Sequence, residues 1–247
     1  MGDSPAEWYA SLPPISKFWF TSCVASTLGV QFGFLQVQSM MMYWPLVRDK
    51  FQVWRILSNF MFIGKPSFAW LIRLSWIARY AVALEKSNFI GPTGTADFMT
   101  FLAFGALVLT PLALVVPSLA QSFYSTSLIF MCLYMWSREN LRASVSLFGL
   151  VRVGAFWFPW AMLALTLIMG GDPTPDFLGV IAGHLYYFFA RLYPLHSGRR
   201  SFIRTPGVFV SLANYINDGS GVVNVASNAV RPPQNRYFQG AGRRLAD

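Results

Sequence analysis

The chain has 247 residues, of which 55% are hydrophobic and only 12% are charged. Soluble domains carry about twice that charged fraction, so the composition excludes an ordinary water-soluble domain and predicts a membrane protein. The formal net charge is +9. No basic run is interleaved with aromatic residues, so we expect no nucleic-acid site and assign the basic residues to the cytosolic side of a membrane. Seven of them follow Gly198: Arg199, Arg200, Arg204, Arg231, Arg236, Arg243 and Arg244.

Six apolar segments are separated by polar, Gly- or Pro-containing turns, which predicts an all-α membrane protein with six transmembrane helices. We divide the chain into an interfacial N-terminal segment (1–17), a six-helix membrane domain (18–197) and a tail (198–247). The tail is rich in Gly, Asn, Ser, Pro and Arg, and we expect it to be disordered. The predicted spans are 18–37, 56–84, 98–116, 119–136, 145–169 and 177–193.

Positive charge predicts the orientation. Six spans place both termini on one side, and with cytosolic termini the cytosolic segments hold eleven Lys and Arg residues against three in the opposite loops. Both termini are therefore expected in the cytosol. Cys23 and Cys132 lie in apolar runs without the spacing of metal ligands, so they are interpreted as packing residues, and no metal or cofactor is predicted.

Charged residues also lie inside the predicted spans. Arg73, Arg79 and Arg152 would be costly in hydrocarbon, about 2.5–3.5 kcal/mol each at mid-bilayer. Their presence is compatible with a water-accessible groove. For Arg79, a pair with Glu85 near the cytosolic end of the second span is the alternative.

Several short strings occur in a characteristic order along residues 5–210. They are Pro14-Ile15, residues 51–55, Arg79-Tyr80, Leu84-Glu85, residues 136–138, Pro159-Trp160, Gly170-Gly171, residues 183–187 and Thr205-Pro206. Together they resemble the derlin family, a non-proteolytic branch of the rhomboid superfamily. The resemblance implies a rhomboid-like fold in the endoplasmic reticulum membrane and a role in the degradation pathway that moves misfolded proteins to the cytosol. Implied partners are misfolded substrates, a ubiquitin ligase complex and membrane lipids, with a homo- or hetero-oligomer left open.

A rhomboid protease needs a nucleophilic Ser in a GxSG string on the fourth span and a His on the sixth. The fourth span contains Ser122, Ser125 and Ser127 but no GxS string, and only His184 remains as a base. We therefore predict that the protein is not an enzyme and interpret His184 as a buried residue hydrogen-bonded between helices. The alternatives are a protease with an atypical nucleophile and a small-molecule transporter, although no internal repeat supports the transporter.

Two further motifs have structural interpretations. Gly179 and Gly183 form GxxxG beside His184 and are expected to let a neighbouring helix approach closely, with chance occurrence as the alternative. Trp54 and Arg55 precede the second span. They are either an aromatic-belt Trp with a snorkelling Arg, or Arg55 binds carbonyls of the first loop and fixes that loop in the outer leaflet.

The C-terminal string at 238–245 matches F-x-G-x-G-x-x-L. It resembles the motif by which derlins recruit the hexameric AAA+ segregase, valosin-containing protein. Two apolar anchors in a flexible tail can fill pockets, glycines allow close approach, and the arginines would meet an acidic surface. The residues concerned are Phe238, Gly240, Gly242, Arg243, Arg244 and Leu245.

Overall fold

A computed structural model describes residues 4–91, 93–116, 119–147, 151–197 and 201–219. These residues are mostly helical, as the sequence predicts, with one two-stranded antiparallel sheet. The helices are α1 (Pro5–Ala10), α2 (Pro14–Gln31), α3 (Val37–Met40), α4 (Trp44–Asp49), α5 (Trp54–Ser58), α6 (Phe68–Trp76), α7 (Gly94–Val115), α8 (Ser125–Glu139), α9 (Phe158–Ile168), α10 (Thr174–Tyr187), α11 (Tyr193–Ser197) and α12 (Gly207–Gly219). The strands are β1 (Ser144–Leu147) and β2 (Val151–Gly154).

Local sequence explains where several helices begin. Ser4 and Glu7 form a capping box at α1, and Ser67 accepts a hydrogen bond from the Trp70 backbone at the start of α6. Pro14 occupies the first turn of α2, where its fixed φ suits the helix and its missing N–H costs nothing.

Two helices continue through π-helical turns. Helix α6 extends through Ile77–Ala81 and Leu84–Asn88, and α10 extends through Phe188–Leu192 into α11. Such turns are rare and occur often at functional sites. The first of them contains Arg79 and Tyr80, which line a groove between α6 and α9.

Helix α8 occupies the centre of the molecule. Nearly all of its side chains are buried, from Ser125 to Ser137. Helices α6, α7, α9 and α10 pack around it, with α10 making the most extensive contact. Aromatic residues dominate this core; Trp76 meets Phe130 edge-on with ring centroids 5.5 Å apart. An apolar helix surrounded on all sides is expected at the centre of a bundle.

Among the described helices, α7 is the one long and apolar enough to cross a membrane by length and composition, over Gly94–Leu112. Helix α9 is apolar but shorter. The described residues thus contain at least one apolar helix of sufficient length to span a bilayer, and the count of six spans stays a prediction.

The fifth predicted span begins in the wrong place. Strands β1 (Ser144–Leu147) and β2 (Val151–Gly154) pair antiparallel, with Val145 opposite Val153, and the α-helix begins only at Phe158; we call the two strands the β1–β2 hairpin. Alternating polar and β-branched residues favour a strand over a helix here. As a result Arg152 is exposed on the hairpin and does not lie inside a span.

The tail also differs from the expectation. Part of the segment predicted to be disordered from residue 198 onward forms α12, which packs against α7 and buries Ala213. The polar composition of the whole tail concealed a short run in which Phe209, Ala213 and Ile216 recur at helical spacing.

Candidate functional site

A groove runs between α6 and α9. Its first part is a cavity of about 190 Å³ formed by α6, α8, α9 and the start of α10. One wall is apolar, and Thr166, Arg73 and Asp176 supply polar groups. The lining residues are Ala69, Ile72, Arg73, Trp76, Phe130, Met162, Leu165, Thr166, Met169, Gly171 and Asp176.

The second part of the groove is another cavity of about 190 Å³, which shares Ile72, Trp76 and Met162 with the first. Its polar groups belong to α6, to the π-helical turn and to the hairpin. The residues that it adds are Ser75, Arg79, Tyr80, Val145, Ser146 and Phe158. We call the two cavities together the α6–α9 groove. It contains Arg73 and Arg79, as the hypothesis of a water-accessible groove expects, but not Arg152.

Two oppositely charged side chains, Arg73 and Asp176, line the first cavity. Asp176 is only 2% exposed, and its Oδ2 atom has no hydrogen-bond partner among the described residues. Arg73 donates a hydrogen bond of 3.2 Å to the Ile63 carbonyl. In the turn before α10, hydrogen bonds from Thr174 lower the pKa of the Asp172 carboxyl. The buried, incompletely satisfied carboxylate of Asp176 is the group in this cavity most in need of a donor. The sequence did not single out Asp176 as a site residue.

Glu85 does not pair with Arg79. Its two carboxylate oxygens accept hydrogen bonds from the backbone N–H of Ile15 (3.1 Å), the backbone N–H of Ser16 (2.7 Å) and the Ser16 hydroxyl (2.7 Å). Glu85 is therefore an N-terminal cap for α2, supplied by another helix. No local sequence signal links residues so far apart.

Arg55 lies beneath the first loop. Its Nη1 donates to the carbonyls of Gln38 (2.6 Å) and Met41 (2.8 Å), and its Nε donates to the Gln52 side chain (2.7 Å). The side chain is buried, whereas Trp54 is exposed. This geometry is the one that the loop-fixing interpretation of Arg55 expects, while the exposed Trp54 suits an aromatic belt.

Asn59, which the sequence did not single out, extends the same network. It is fully buried, donates to the Arg55 and Ile56 carbonyls, and accepts from the Tyr124 backbone N–H at 3.3 Å. The loop, α5 and the start of α8 are thereby joined by hydrogen bonds.

Gly179 and Gly183 face α8. A Cβ atom at Gly179 would lie 2.2 Å from the Ser127 carbonyl oxygen, which is closer than any real contact. At Gly183 the nearest atom would be a ring carbon of Tyr134, at 3.0 Å. Both glycines thus lie where two helix backbones approach closely, as the packing interpretation requires.

His184 bridges two helices, but it is exposed rather than buried. The Tyr134 hydroxyl and His184 Nδ1 are 2.7 Å apart. On α8, the Ser125 hydroxyl donates to the Phe62 carbonyl, and the Ser127 Oγ atom is buried without a partner among the described residues. The hydrogen-bond partner of His184 is thus a tyrosine.

The remaining predicted site residues lie outside the described residues. The segregase-binding motif belongs to the segment after 219 and therefore stays a prediction. Its residues are Phe238, Gly240, Gly242, Arg243, Arg244 and Leu245. Within the described ranges, no cluster of three or more His, Cys, Asp and Glu side chains could hold a metal ion.

Comparisons with known proteins match most of the chain to one family. The model of the Der1-like family matches residues 12–207. Derlin-1.1 of Zea mays is 42% identical over 98% of this chain and 98% of its own length. Derlin-1 of Arabidopsis thaliana is 46% identical over 82% of this chain and 75% of its own. Derlin-2.1 of Arabidopsis thaliana is 36% identical, with 86% and 89% covered.

Proposed function

Because the chain belongs to the Der1-like family, we propose that it acts in endoplasmic-reticulum-associated degradation as a non-proteolytic, rhomboid-like factor that assists the passage of misfolded proteins to the cytosol. Family membership supports the association with this pathway. The α6–α9 groove is the single observation that carries the more specific role, because it combines an apolar wall with charged groups, one of which, Asp176, has an oxygen without a hydrogen-bond partner among the described residues.

The groove offers hydrogen-bond partners, which a polypeptide lacks in lipid. An unsatisfied peptide group costs several kcal/mol in hydrocarbon, so a crossing chain needs hydrogen-bond partners along its path. The unpartnered oxygen of Asp176 can accept from a backbone N–H, and Arg73 and Arg79 can donate to carbonyls. Ile72 and Met162 provide apolar contact for side chains at the same level.

The proposed setting is the membrane of the endoplasmic reticulum, crossed six times, with both termini in the cytosol. The distribution of Lys and Arg supports this orientation. Helix α9 has 11 residues and is therefore about 16 Å long, about half the hydrocarbon thickness of 30 Å. A helix this short favours local thinning of the bilayer beside the groove, which shortens the path of a crossing chain.

In this proposal the segment 238–245 recruits the AAA+ segregase, which extracts the substrate, and a ubiquitin ligase complex marks it. Proteolysis is not part of the mechanism. The absence of a GxS string from the fourth predicted span supports this exclusion, because a rhomboid-type protease needs that serine as its nucleophile.

Site-specific photocrosslinking in microsomes tests the groove. Ile72 lines both cavities, whereas its neighbour Leu71 is exposed and lines neither, so the two positions form a matched pair on one helix. With a photoreactive residue at each position in turn, a misfolded reporter in the course of degradation should crosslink at Ile72 and only at background level at Leu71. Equal crosslinking at both positions, or crosslinking at Leu71 alone, would refute the groove as the route.

A further inference from the structure

Helix α12 has one face that belongs to the folded domain. Ala213 is 3% exposed, and Phe209 and Ile216, which lie on the same side of the helix, are partly buried. The helix packs against α7. This contact fixes the orientation of α12 about its own axis, and therefore fixes where its other side chains point.

A second face of α12 is apolar and uncovered. Val208, Leu212 and Tyr215 are 75%, 43% and 78% exposed, and their spacing of four and three residues aligns them in one stripe. The third face is polar, with Ser211 and Asn214 exposed. One face of α12 thus packs against the protein, the second is apolar and exposed, and the third is polar and exposed. This arrangement is typical of helices that lie at a membrane surface.

The position of α12 identifies what covers the apolar stripe. Phe209 lines an apolar cavity of about 270 Å³ together with Ile15 in the first turn of α2 and Met99 near the start of α7. Thr205, two residues before α12, donates a hydrogen bond to Asp97 in the first turn of α7, so the beginning of α12 lies near the start of α7. In an apolar helix such as α7, the start marks the boundary of the bilayer. The stripe consequently lies where acyl chains meet headgroups, the depth at which Tyr side chains are enriched.

Charge supports the same placement. Arg204 precedes α12, and Arg199 and Arg200 occur shortly before it in the sequence. Basic residues at a cytosolic surface are attracted by anionic lipids.

We propose that α12 lies in the plane of the bilayer at its cytosolic surface. There it buries Val208, Leu212 and Tyr215 among the lipids and turns Ser211 and Asn214 to water. The helix would anchor the tail to the membrane where the tail leaves the domain. This inference depends on the membrane placement of the domain but not on the passage of substrates through the α6–α9 groove.

Spin-label accessibility tests the placement in the full chain, reconstituted into phosphatidylcholine vesicles that contain a minority of phosphatidylserine. The native thiols of Cys23 and Cys132 are 0% and 2% exposed, so an introduced cysteine takes the label, and the unsubstituted chain measures background. Labels at Leu212→Cys and Tyr215→Cys should collide with oxygen in preference to a water-soluble nickel chelate. Labels at Ser211→Cys and Asn214→Cys should show the opposite preference.

A charged substitution in the apolar stripe provides a second test. Leu212→Glu should shift the label at Tyr215→Cys from oxygen towards nickel, whereas the matched control Ser211→Glu should leave it unchanged. Nickel accessibility at Leu212→Cys equal to that at Ser211→Cys would place the stripe in water and overturn the proposal. Protection of Leu212→Cys from both reagents would overturn it as well, because a protein partner or a second copy would then cover the stripe.

Discussion

Replacing Gly179 with Ala should separate α10 from α8. The added Cβ would lie 2.2 Å from the Ser127 carbonyl oxygen and 2.6 Å from Phe130 Cβ. Because the first of these atoms belongs to a helix backbone, it can withdraw only if the helices move apart. Overpacking costs about 1–3 kcal/mol, and a backbone collision belongs in the upper part of that range. The better helix propensity of Ala returns about 0.8–1 kcal/mol, so the net loss should be about 1–2 kcal/mol.

Gly183→Ala should cost much less, although it belongs to the same motif. Its Cβ would meet the Tyr134 ring at 3.0 Å and the Met131 carbonyl at 3.2 Å. A shift of a few tenths of an ångström relieves both contacts, and the gain in helix propensity offsets most of the cost. We therefore expect a nearly neutral change. Gly154→Ala is the control, since nothing lies within 4 Å of the added atom.

Thermal unfolding in detergent, followed with a thiol-reactive dye, measures this difference, because the two native thiols are buried and react only when the domain opens. At about 2–4 °C per kcal/mol, Gly179→Ala should lower the melting temperature by about 2–8 °C. A melting temperature equal to that of the unsubstituted chain, or equal losses at Gly179 and Gly183, would refute the close approach of the α8 and α10 backbones at Gly179.

Four other outcomes are expected. Glu85→Gln should destabilise the domain by about 1–3 kcal/mol in the same assay, since a charged cap of α2 is lost; an unchanged melting temperature would remove Glu85 from the cap. Arg55→Lys should speed hydrogen exchange in the first loop about tenfold or more, because at least one charged hydrogen bond disappears, and unaltered exchange would contradict the loop-fixing role. In a pull-down with a peptide covering 231–247, Phe238→Ala should reduce binding of the segregase about tenfold or more, whereas equal recovery would exclude the motif. His184→Ala should leave degradation of a misfolded reporter close to normal, and labelling by a fluorophosphonate probe that Ser127→Ala abolishes would instead indicate a protease.

Sequence alone predicted the helical class and the family, because both depend on features spread over the whole chain. Composition indicates the helical class, and the order of the short strings indicates the family. Close approach at Gly179 was also predictable, since a small residue at helical spacing has few other uses in an apolar helix.

What sequence reasoning missed depends on three-dimensional neighbours. The partner of Glu85 is 69 residues away at Ser16, whereas Arg79 was the candidate nearby in sequence. The orphan oxygen of Asp176 becomes evident only when α9 and α10 surround it. The hairpin containing Arg152 interrupts an apolar run that reads as one long helix when hydrophobicity is averaged.

The cap that Glu85 provides also has a consequence for biosynthesis. Helix α2 is synthesised before Glu85, and the carboxylate that binds its N-terminus is added 69 residues after Ser16. At a synthesis rate of about 5–20 residues per second, that interval lasts about 3–14 s. During this time the first turn of α2 must rely on water or on another protein for its hydrogen bonds. On the predicted six-span topology, the N-terminus of the first span is fully capped only once the second span has been made, so we expect these two spans to insert as a pair.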